Sequence, residues 1–356
     1  MKVFDLCAGI GGFRLGLSLS NYNKSDLEFT CFSEIDKYAT QGYKAMFGCD
    51  KEIELGDIQL HTRLTGELGH EGVLPKKNKR TKLINEKIPD IDILFAGFPC
   101  QPHSLMGNRK GNQDSRGNLF YDISEVLRIK SPEYFVLENV KSLLSVNGGA
   151  FYEEIIFILT KILKYNLKIF VLNASDFGIP QTRRRVFFVG SKSRDISNIS
   201  IDKFKVNIEK AKYRSTWHLL EREVNEKYFL SDQILKTILK DQHKGYSRKA
   251  EINKLIARPV TKTMHKMHRA SQDNYYSEAF INGKYSSKKG VVIFEEKSKR
   301  KIRRLTPKEA LRIQSFPERY IKKLINSGLS DTRLYMVAGN AVPPLMVKAV
   351  LNSLFE

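Results

Sequence analysis

The chain has 356 residues, 41% of them hydrophobic, enough for one large domain plus a smaller one around a sizeable core. Its four cysteines (Cys7, Cys31, Cys49 and Cys100) form no C-x-x-C pair and no metal-ligand spacing. That argues against a disulfide framework and a zinc site and fits a reducing cytoplasm, so no metal is expected. A net charge of +21 points to a polyanionic partner, most commonly nucleic acid; the competing reading is a generally lysine-rich proteome. No run approaches the roughly 18 apolar residues of a membrane span, and the strand-like start at Met1 leaves no room for a signal peptide.

Residues 1–60 predict a βαβαβ pattern: strand 2–6, helix 13–20, strand 27–33, helix 35–47 and strand 52–55. That rhythm predicts an α/β fold with a parallel sheet and right-handed crossovers. The first turn, Cys7-Ala8-Gly9-Ile10-Gly11-Gly12-Phe13, would let backbone approach a ligand at a helix N-terminus. As a dinucleotide fingerprint it is imperfect, because Arg14 stands where a third glycine would sit. Glu34, ending the second strand, suits ribose hydroxyls. Asp57, ending the third, suits an adenine amino group. Singly, each could equally be a solvated strand-end carboxylate.

Residues 61–90 break the pattern with the basic run Lys76-Lys77-Asn78-Lys79-Arg80-Thr81-Lys82, and read as a surface insertion. The α/β rhythm resumes with strand 91–96, helix 118–129, strand 134–137, helix 151–163 and strands 167–172 and 184–190. Gly97-Phe98-Pro99-Cys100-Gln101-Pro102 presents a thiol at the carboxyl end of a strand, where open α/β sheets bind ligands. The next strand ends in Glu138-Asn139-Val140. Residues 191–300 lose the βα repeat. Within them Lys262, Thr263, Met264, His265 and Arg269 mix basic, polar and apolar side chains suited to phosphate and base-edge contacts; a solvated basic face is the competing reading. His265 and His268 are spaced for a metal on a helix, but no carboxylate or cysteine stands close beside them. Thr306-Pro307-Lys308-Glu309 reads as a helix start, and a last helix is expected over 345–355.

A cysteine and a glutamic acid converging on a planar heterocycle suit one chemistry in particular. A thiolate adding to C6 of cytosine makes C5 enamine-like and able to accept a methyl group. Protonating or hydrogen-bonding N3 assists that addition.

Five ordered motifs then match a known family: Asp5-Leu6-Cys7-Ala8-Gly9-Ile10-Gly11-Gly12-Phe13, Gly97-Phe98-Pro99-Cys100-Gln101-Pro102, Glu138-Asn139-Val140, Gln181-Thr182-Arg183-Arg184-Arg185 and Gly339-Asn340-Ala341-Val342-Pro343-Pro344. Over nearly its whole length, 61–90 and most of 191–300 excepted, the chain resembles the bacterial DNA cytosine-5 methyltransferases of restriction–modification systems. The resemblance implies a Rossmann-like S-adenosylmethionine-dependent methyltransferase sheet with helices on both faces. A smaller, irregular, strand-rich target-recognition domain would be added to it. It implies a catalytic and cofactor domain over 1–190, recognition over 191–300, a hinge over 301–338, and a helix over 339–356 returning to the catalytic domain.

By the same resemblance Cys100 attacks C6, Glu138 contacts N3 and the exocyclic amine, Arg185 holds O2 and Arg183 supports the site. S-adenosylmethionine lies over Cys7, Ala8, Gly9, Ile10, Gly11, Gly12 and Phe13. Glu34, Ile35, Asp57, Ile58, Pro99, Leu119, Asn340, Ala341 and Val342 complete its pocket. Gln101, Ser104 and Arg116 belong to a segment that closes over DNA, with Lys262, Thr263, Met264, His265 and Arg269 as further DNA contacts. The implied product is S-adenosylhomocysteine and the implied partner double-stranded DNA, bound by a monomer in the bacterial cytoplasm, with the nucleoid, alongside a separately acting restriction endonuclease. Cys7 and His103 depart from phenylalanines common in relatives.

Three rival readings are weaker. A transfer-RNA cytosine-5 methyltransferase has a less developed recognition region. An amino-methyltransferase needs an Asp/Asn/Ser-Pro-Pro-aromatic tetrapeptide, which is absent. A non-catalytic DNA-binding protein has no use for intact Cys100, Glu138 and Arg185.

Overall fold

The computed structural model describes residues 1–62, 77–99, 119–239, 250–266, 268–295 and 301–356. Among them seven strands form one sheet: β1 (Lys2–Leu6), β2 (Glu28–Ser33), β3 (Ile53–Glu54), β4 (Ile93–Gly97), β5 (Tyr134–Val140), β6 (Asn166–Asn173) and β7 (Arg184–Ser191), in the order β3-β2-β1-β4-β5-β7-β6. Six run parallel. β7 alone runs against them, wedged between β5 and β6. The expected parallel pattern therefore holds for β1 to β5 but not at β7. A strand running the opposite way begins where its neighbours end, so the N-terminus of β7 joins the carboxyl ends of β4 and β5. That one reversal brings Arg185 to Glu138, two residues apart across the β5–β7 register.

Helices cover both faces: α1 (Gly12–Leu19), α2 (Lys37–Phe47), α3 (Gln59–Thr62), α4 (Lys77–Lys87), α5 (Leu119–Lys130) and α6 (Ala150–Phe157) from the first half, and α12 (Pro344–Phe355) from the chain's end. Phe135, Val136 and Leu137 of β5 are all buried, as a strand covered on both faces requires. α2 begins where the Asp36 carboxylate accepts from the amides of Tyr38 and Ala39, and ends at left-handed Gly48. α12 packs along α1, so the last helix lies on the first.

One expectation needs correction. Part of 61–90 is built into the fold: Ile84 and Ile88 are buried with Ile123, Val126 and Leu127 of α5, and α4 packs on α3 and α5. With only two apolar residues at a four-residue spacing, the run hides its helical face in sequence. Two helical stretches, Lys141–Ile162 and Asp331–Phe355, have the length and mean apolar composition of a membrane span, although neither holds a run of 18 consecutive apolar residues. The first is broken at left-handed Asn147 and Gly148, and the second is mostly buried and interrupted at extended Ala341 and Pro343.

Between the sheet and α12 lie short helices, α7 (Asp232–Leu239) and α8 (Glu278–Asn282), and four three-residue strands, β8 (Tyr275–Ser277), β9 (Lys284–Ser286), β10 (Val291–Ile293) and β11 (Ile302–Arg304). Among the described residues these strands pair as β8–β11 and β9–β10, and Arg303 of β11 also bridges Phe229. Then come α9 (Pro307–Ile313), α10 (Glu318–Ile325) and α11 (Asp331–Asn340). The Thr306–Glu309 helix start is a full capping box. One apolar cluster joins Ile10, Leu15, Ala39 and Met46 to Leu311, Leu324, Leu334 and Val337, so this part shares its core with the first βαβ unit.

Asp5 on β1 is wholly buried, and neither of its oxygens meets the geometry of a hydrogen bond among the described residues. Burial pushes its carboxyl well above the usual range; Arg14 opposes the shift, and Glu52 and Glu34 add to it. The folded protein therefore binds a proton here at pH values where the unfolded chain has lost it. This contribution to stability is present at low pH and fades as pH rises above about 4, by at most about 1.4 kcal/mol per unit. Asp5→Asn is expected to flatten the pH dependence of urea unfolding above about pH 4. Parallel wild-type and variant profiles would show that Asp5 takes up no proton.

Candidate active site

The carboxyl ends of β1, β2, β4 and β5 open into a cavity of about 630 Å³. Its wall comprises three groups of residues. Cys7, Gly9, Glu34, Ile35, Asp57 and Ile58 come from the first half of the sheet; Pro99, Leu119, Glu138, Asn139, Arg183 and Arg185 from β4 onward; and Pro259, Val260, Thr261, Lys262, Val337, Gly339 and Asn340 from the last third of the chain.

One pole is a carboxylate and a guanidinium. Glu138 is 7% exposed and forms an ion pair with Arg185, Oε1 to Nε at 2.7 Å. Arg185 Nη1 also donates to the Arg184 carbonyl. Asn139 Nδ2 donates to the Phe98 carbonyl at 2.9 Å, tying the end of β5 to the residue before Pro99. Arg183 is buried and donates to the carbonyls of Val260, Gly339 and Ala341. Two of these carbonyls stand at the C-terminal end of α11, where the helix dipole favours a cation. Burial and the nearby Arg185 still push its guanidinium well below the ordinary value, opposed by Glu138.

The other pole is shaped for a nucleoside. Glu34 accepts from the amides of Gly9 and Asp36, both at 2.8 Å. Burial raises its pKa above the ordinary carboxylate value, and those amide bonds oppose the rise. Ile35, 76% exposed, is a bare apolar surface beside it. Asp57 accepts from the Gln59 amide through Oδ1 alone among its described bonds. Gly9, with φ of +55°, has open space where a Cβ would point. A carboxylate at two successive strand ends, an apolar shelf and a backbone open to close approach fit the ribose, amine and ring face of an adenosyl group. Cys7, also left-handed at φ 56°, lines this pole; burial and Glu34 push its thiol well up, so it stays protonated.

The remaining expected residues divide. Gly9, Cys7, Glu34, Ile35, Asp57, Ile58, Pro99, Leu119 and Asn340 line the cavity. Ala8, Ile10, Gly11, Gly12, Phe13, Ala341 and Val342 do not. Phe13 stacks on Phe95 in the core, and a Cβ at Gly12 would lie 2.2 Å from the Val342 carbonyl oxygen, so these residues close helix on helix beneath the wall. Lys262 lines the cavity, but Met264 is buried in the core, and the mixed composition of its segment conceals that inward side chain. Arg269 is tied to Thr261 Oγ1 and Asp273, and Thr263 and His265 are half-buried outside the wall. Cys100, Gln101, Ser104 and Arg116 lie outside the described residues. Sequence reasoning assigned no site role to Gln181 and Gln314, which hold the wall from behind through contacts 133 positions apart.

A seven-stranded sheet in this order, with a nucleoside-shaped pole and a carboxylate–guanidinium pole in one cavity, defines a Rossmann-like methyltransferase. The chain matches the C-5 cytosine-specific DNA methylase family over residues 1–356, and it belongs to that family. It is a cytosine-5 DNA methyltransferase; membership implies S-adenosylmethionine as methyl donor and DNA as substrate. It is 33% identical over 355 residues to the Type II methyltransferase M1.ScrFI of Lactococcus lactis subsp. cremoris, covering 100% of this chain and 78% of the relative. It is 32% identical to the Type II methyltransferase M.NlaX of Neisseria lactamica, covering 99% and 96%. The fold is similar to the crystal structure of S. pombe Dnmt2 methyltransferase (TM-score 0.73, 20% identity, covering 99% of this chain and 97% of that one).

Proposed function

We propose that the protein methylates C5 of one cytosine, flipped out of the duplex, within a short specific DNA sequence, and protects host DNA in a restriction–modification system. The observation that carries this reading is the Glu138–Arg185 pair, held in the same cavity as the adenosyl-shaped pole and next to the chain that leads into Cys100. A base inside a duplex hides C5 and C6 in the stack, so extrusion into the cavity precedes chemistry. Arg185 holds cytosine O2 and Glu138 bonds N3 and the exocyclic amine, drawing electron density from the ring. The Cys100 thiolate forms a bond to C6, and C5 becomes nucleophilic. When bound, S-adenosylmethionine supplies the methyl group at C5. Loss of the C5 proton and cleavage of the S–C6 bond then restore aromaticity and free Cys100. Glu34 holds the ribose, Asp57 the adenine amine, and Ile35 and Ile58 the adenine faces; Pro99, Asn139 and Val140 shape the cytosine end. Lys262 and its neighbours supply DNA contacts. The protein works as a monomer in the bacterial cytoplasm, at the nucleoid, alongside a separately acting endonuclease.

The test is to express the chain, recover the host plasmid and bisulfite-sequence it. Protected cytosines in one fixed context, absent with Cys100→Ser, are expected. A duplex carrying 5-fluorocytosine in that context should trap the wild type covalently at Cys100, since fluorine cannot leave as the proton does. An unprotected plasmid from folded protein, or trapping at another cysteine, would refute the reading.

A further inference from the structure

Gln181 is wholly buried, and both ends of its amide are used. Its Oε1 accepts from the Val260 amide at 3.0 Å, and its Nε2 donates to the Ile313 carbonyl at 2.9 Å and to Gln314 Oε1 at 3.0 Å. Gln314, also buried, donates through Nε2 to the carbonyls of Ala338 at 2.6 Å and Ala341 at 3.3 Å. Two residues after Gln181, Arg183 Nη1 donates to the Val260 carbonyl at 2.9 Å. Two side chains at i and i+2 thus hold both backbone groups of a single residue. Alongside, the Thr182 amide donates to the Ala257 carbonyl, and the Ala257 amide to that of Pro180. From the opposite side, a Cβ at Gly339 would lie 2.1 Å from the Lys262 nitrogen and 2.2 Å from the Thr261 carbonyl carbon, so the end of α11 bears directly on that backbone.

This grip is on backbone, and is blind to which side chains the segment carries. Thr261 and Lys262, immediately beyond the gripped residue, line the cavity. Arg185, two residues beyond Arg183, pairs with Glu138 in it. The spacing between what the segment presents and where the base is held is therefore set by Gln181 and Gln314, neither of which lines the cavity. A segment held this way can change its side chains without losing its position.

We propose that Gln181 and Gln314 are positioning residues that fix the register of segment 257–262 against the Glu138–Arg185 pole, and so couple selection of a DNA site to methyl transfer. The proposal rests on the DNA reading above.

Full-length Gln181→Met, Gln314→Met, Gln314→Glu and Gly339→Ala proteins test it. Four readouts are needed: the melting temperature, the affinity for S-adenosylhomocysteine, kcat and KM on DNA holding the wild-type context, and bisulfite counts at contexts differing by one base. Affinity for S-adenosylhomocysteine should stay within about twofold of wild type in the Gln181 and Gln314 variants. The methionine variants should lose about tenfold or more in kcat, because an orphaned amide lets the segment shift and small misplacements are costly in rate. Off-context methylation relative to on-context should rise by about threefold or more. Gln314→Glu keeps the acceptor for Gln181 but sets an oxygen against the Ala338 and Ala341 carbonyls, so it should lose selectivity as Gln314→Met does; if the glutamine variants do not fold, Gly339→Ala, which leaves both amides paired, decides the matter. Gly339→Ala should reproduce the defect by pushing 261–262 away. Folded variants with a lowered melting temperature but wild-type kcat and context ratio would overturn the proposal alone. Wild-type protein that methylates no plasmid cytosine would overturn the DNA reading, and this proposal with it.

Discussion

Glu138→Ala is expected to lower kcat by about 10²–10⁴-fold, the range typical of losing a positioned acid–base group. It should leave S-adenosylhomocysteine affinity within about twofold, because Glu34, Ile35 and Asp57 sit at the other pole of the cavity. The loss has two sources. Cytosine N3 loses the group that makes attack at C6 feasible, and Arg185 loses the carboxylate that holds its Nε at 2.7 Å and aims it into the cavity. Glu138→Gln separates them. Its amide keeps the shape and can donate a hydrogen bond to N3, but it carries no charge to pair with Arg185 and cannot share a proton. It should therefore retain more activity than alanine while remaining far below wild type. Single-turnover rates on a duplex carrying the wild-type context measure both variants. An alanine variant within about tenfold of wild type would remove Glu138 from the chemistry, since no acid–base role is that small.

The residues of that pole were legible in sequence, whereas their geometry was not. Residues 93–97 and 134–140 announce themselves as short apolar runs that end in polar turns, so a cysteine and a glutamate at strand ends could be read directly. β7 could also be read as a strand, but the alternation of a strand carries no direction. Only its pairing with β5 and β6 reveals that it runs backwards and delivers Arg185 to Glu138. The buried grip on Val260 was out of reach for a different reason. It joins Gln181, Val260 and Gln314 across long separations, and a lone glutamine in sequence reads as surface. At Met264 and in 61–90 composition misleads in the opposite direction. There, basic neighbours made the segments look solvent-facing, although Met264, Ile84 and Ile88 are core residues. Composition describes the average face of a segment, while burial is decided by the one or two side chains that turn inward.

The second large effect expected is on stability, at Arg303 and Glu309, whose side chains are 1% and 0% exposed. The pair is bidentate, with Nη1 and Nη2 donating to Oε2 and Oε1 at 2.8 and 2.7 Å. Each partner also serves the backbone. Arg303 donates to the carbonyls of Arg304 and Glu221, and Glu309 accepts from the amides of Thr306 and Glu221. The pair thus fastens β11, the start of α9 and residue 221 at one point, and α9 in turn packs on α11, which carries Gly339. Arg303→Ala leaves a carboxylate buried without its cation, and Glu309→Ala the reverse; each should cost about 3–5 kcal/mol in urea unfolding. The paired Arg303→Met, Glu309→Leu variant removes both charges and should recover part of that loss. It should not reach wild type, because the amides of buried Thr306 and half-buried Glu221 lose their acceptor. A double variant as stable as wild type would show that the backbone bonds contribute nothing. A single variant costing less than about 1 kcal/mol would mean that water reaches the orphaned charge, which a side chain this buried does not allow.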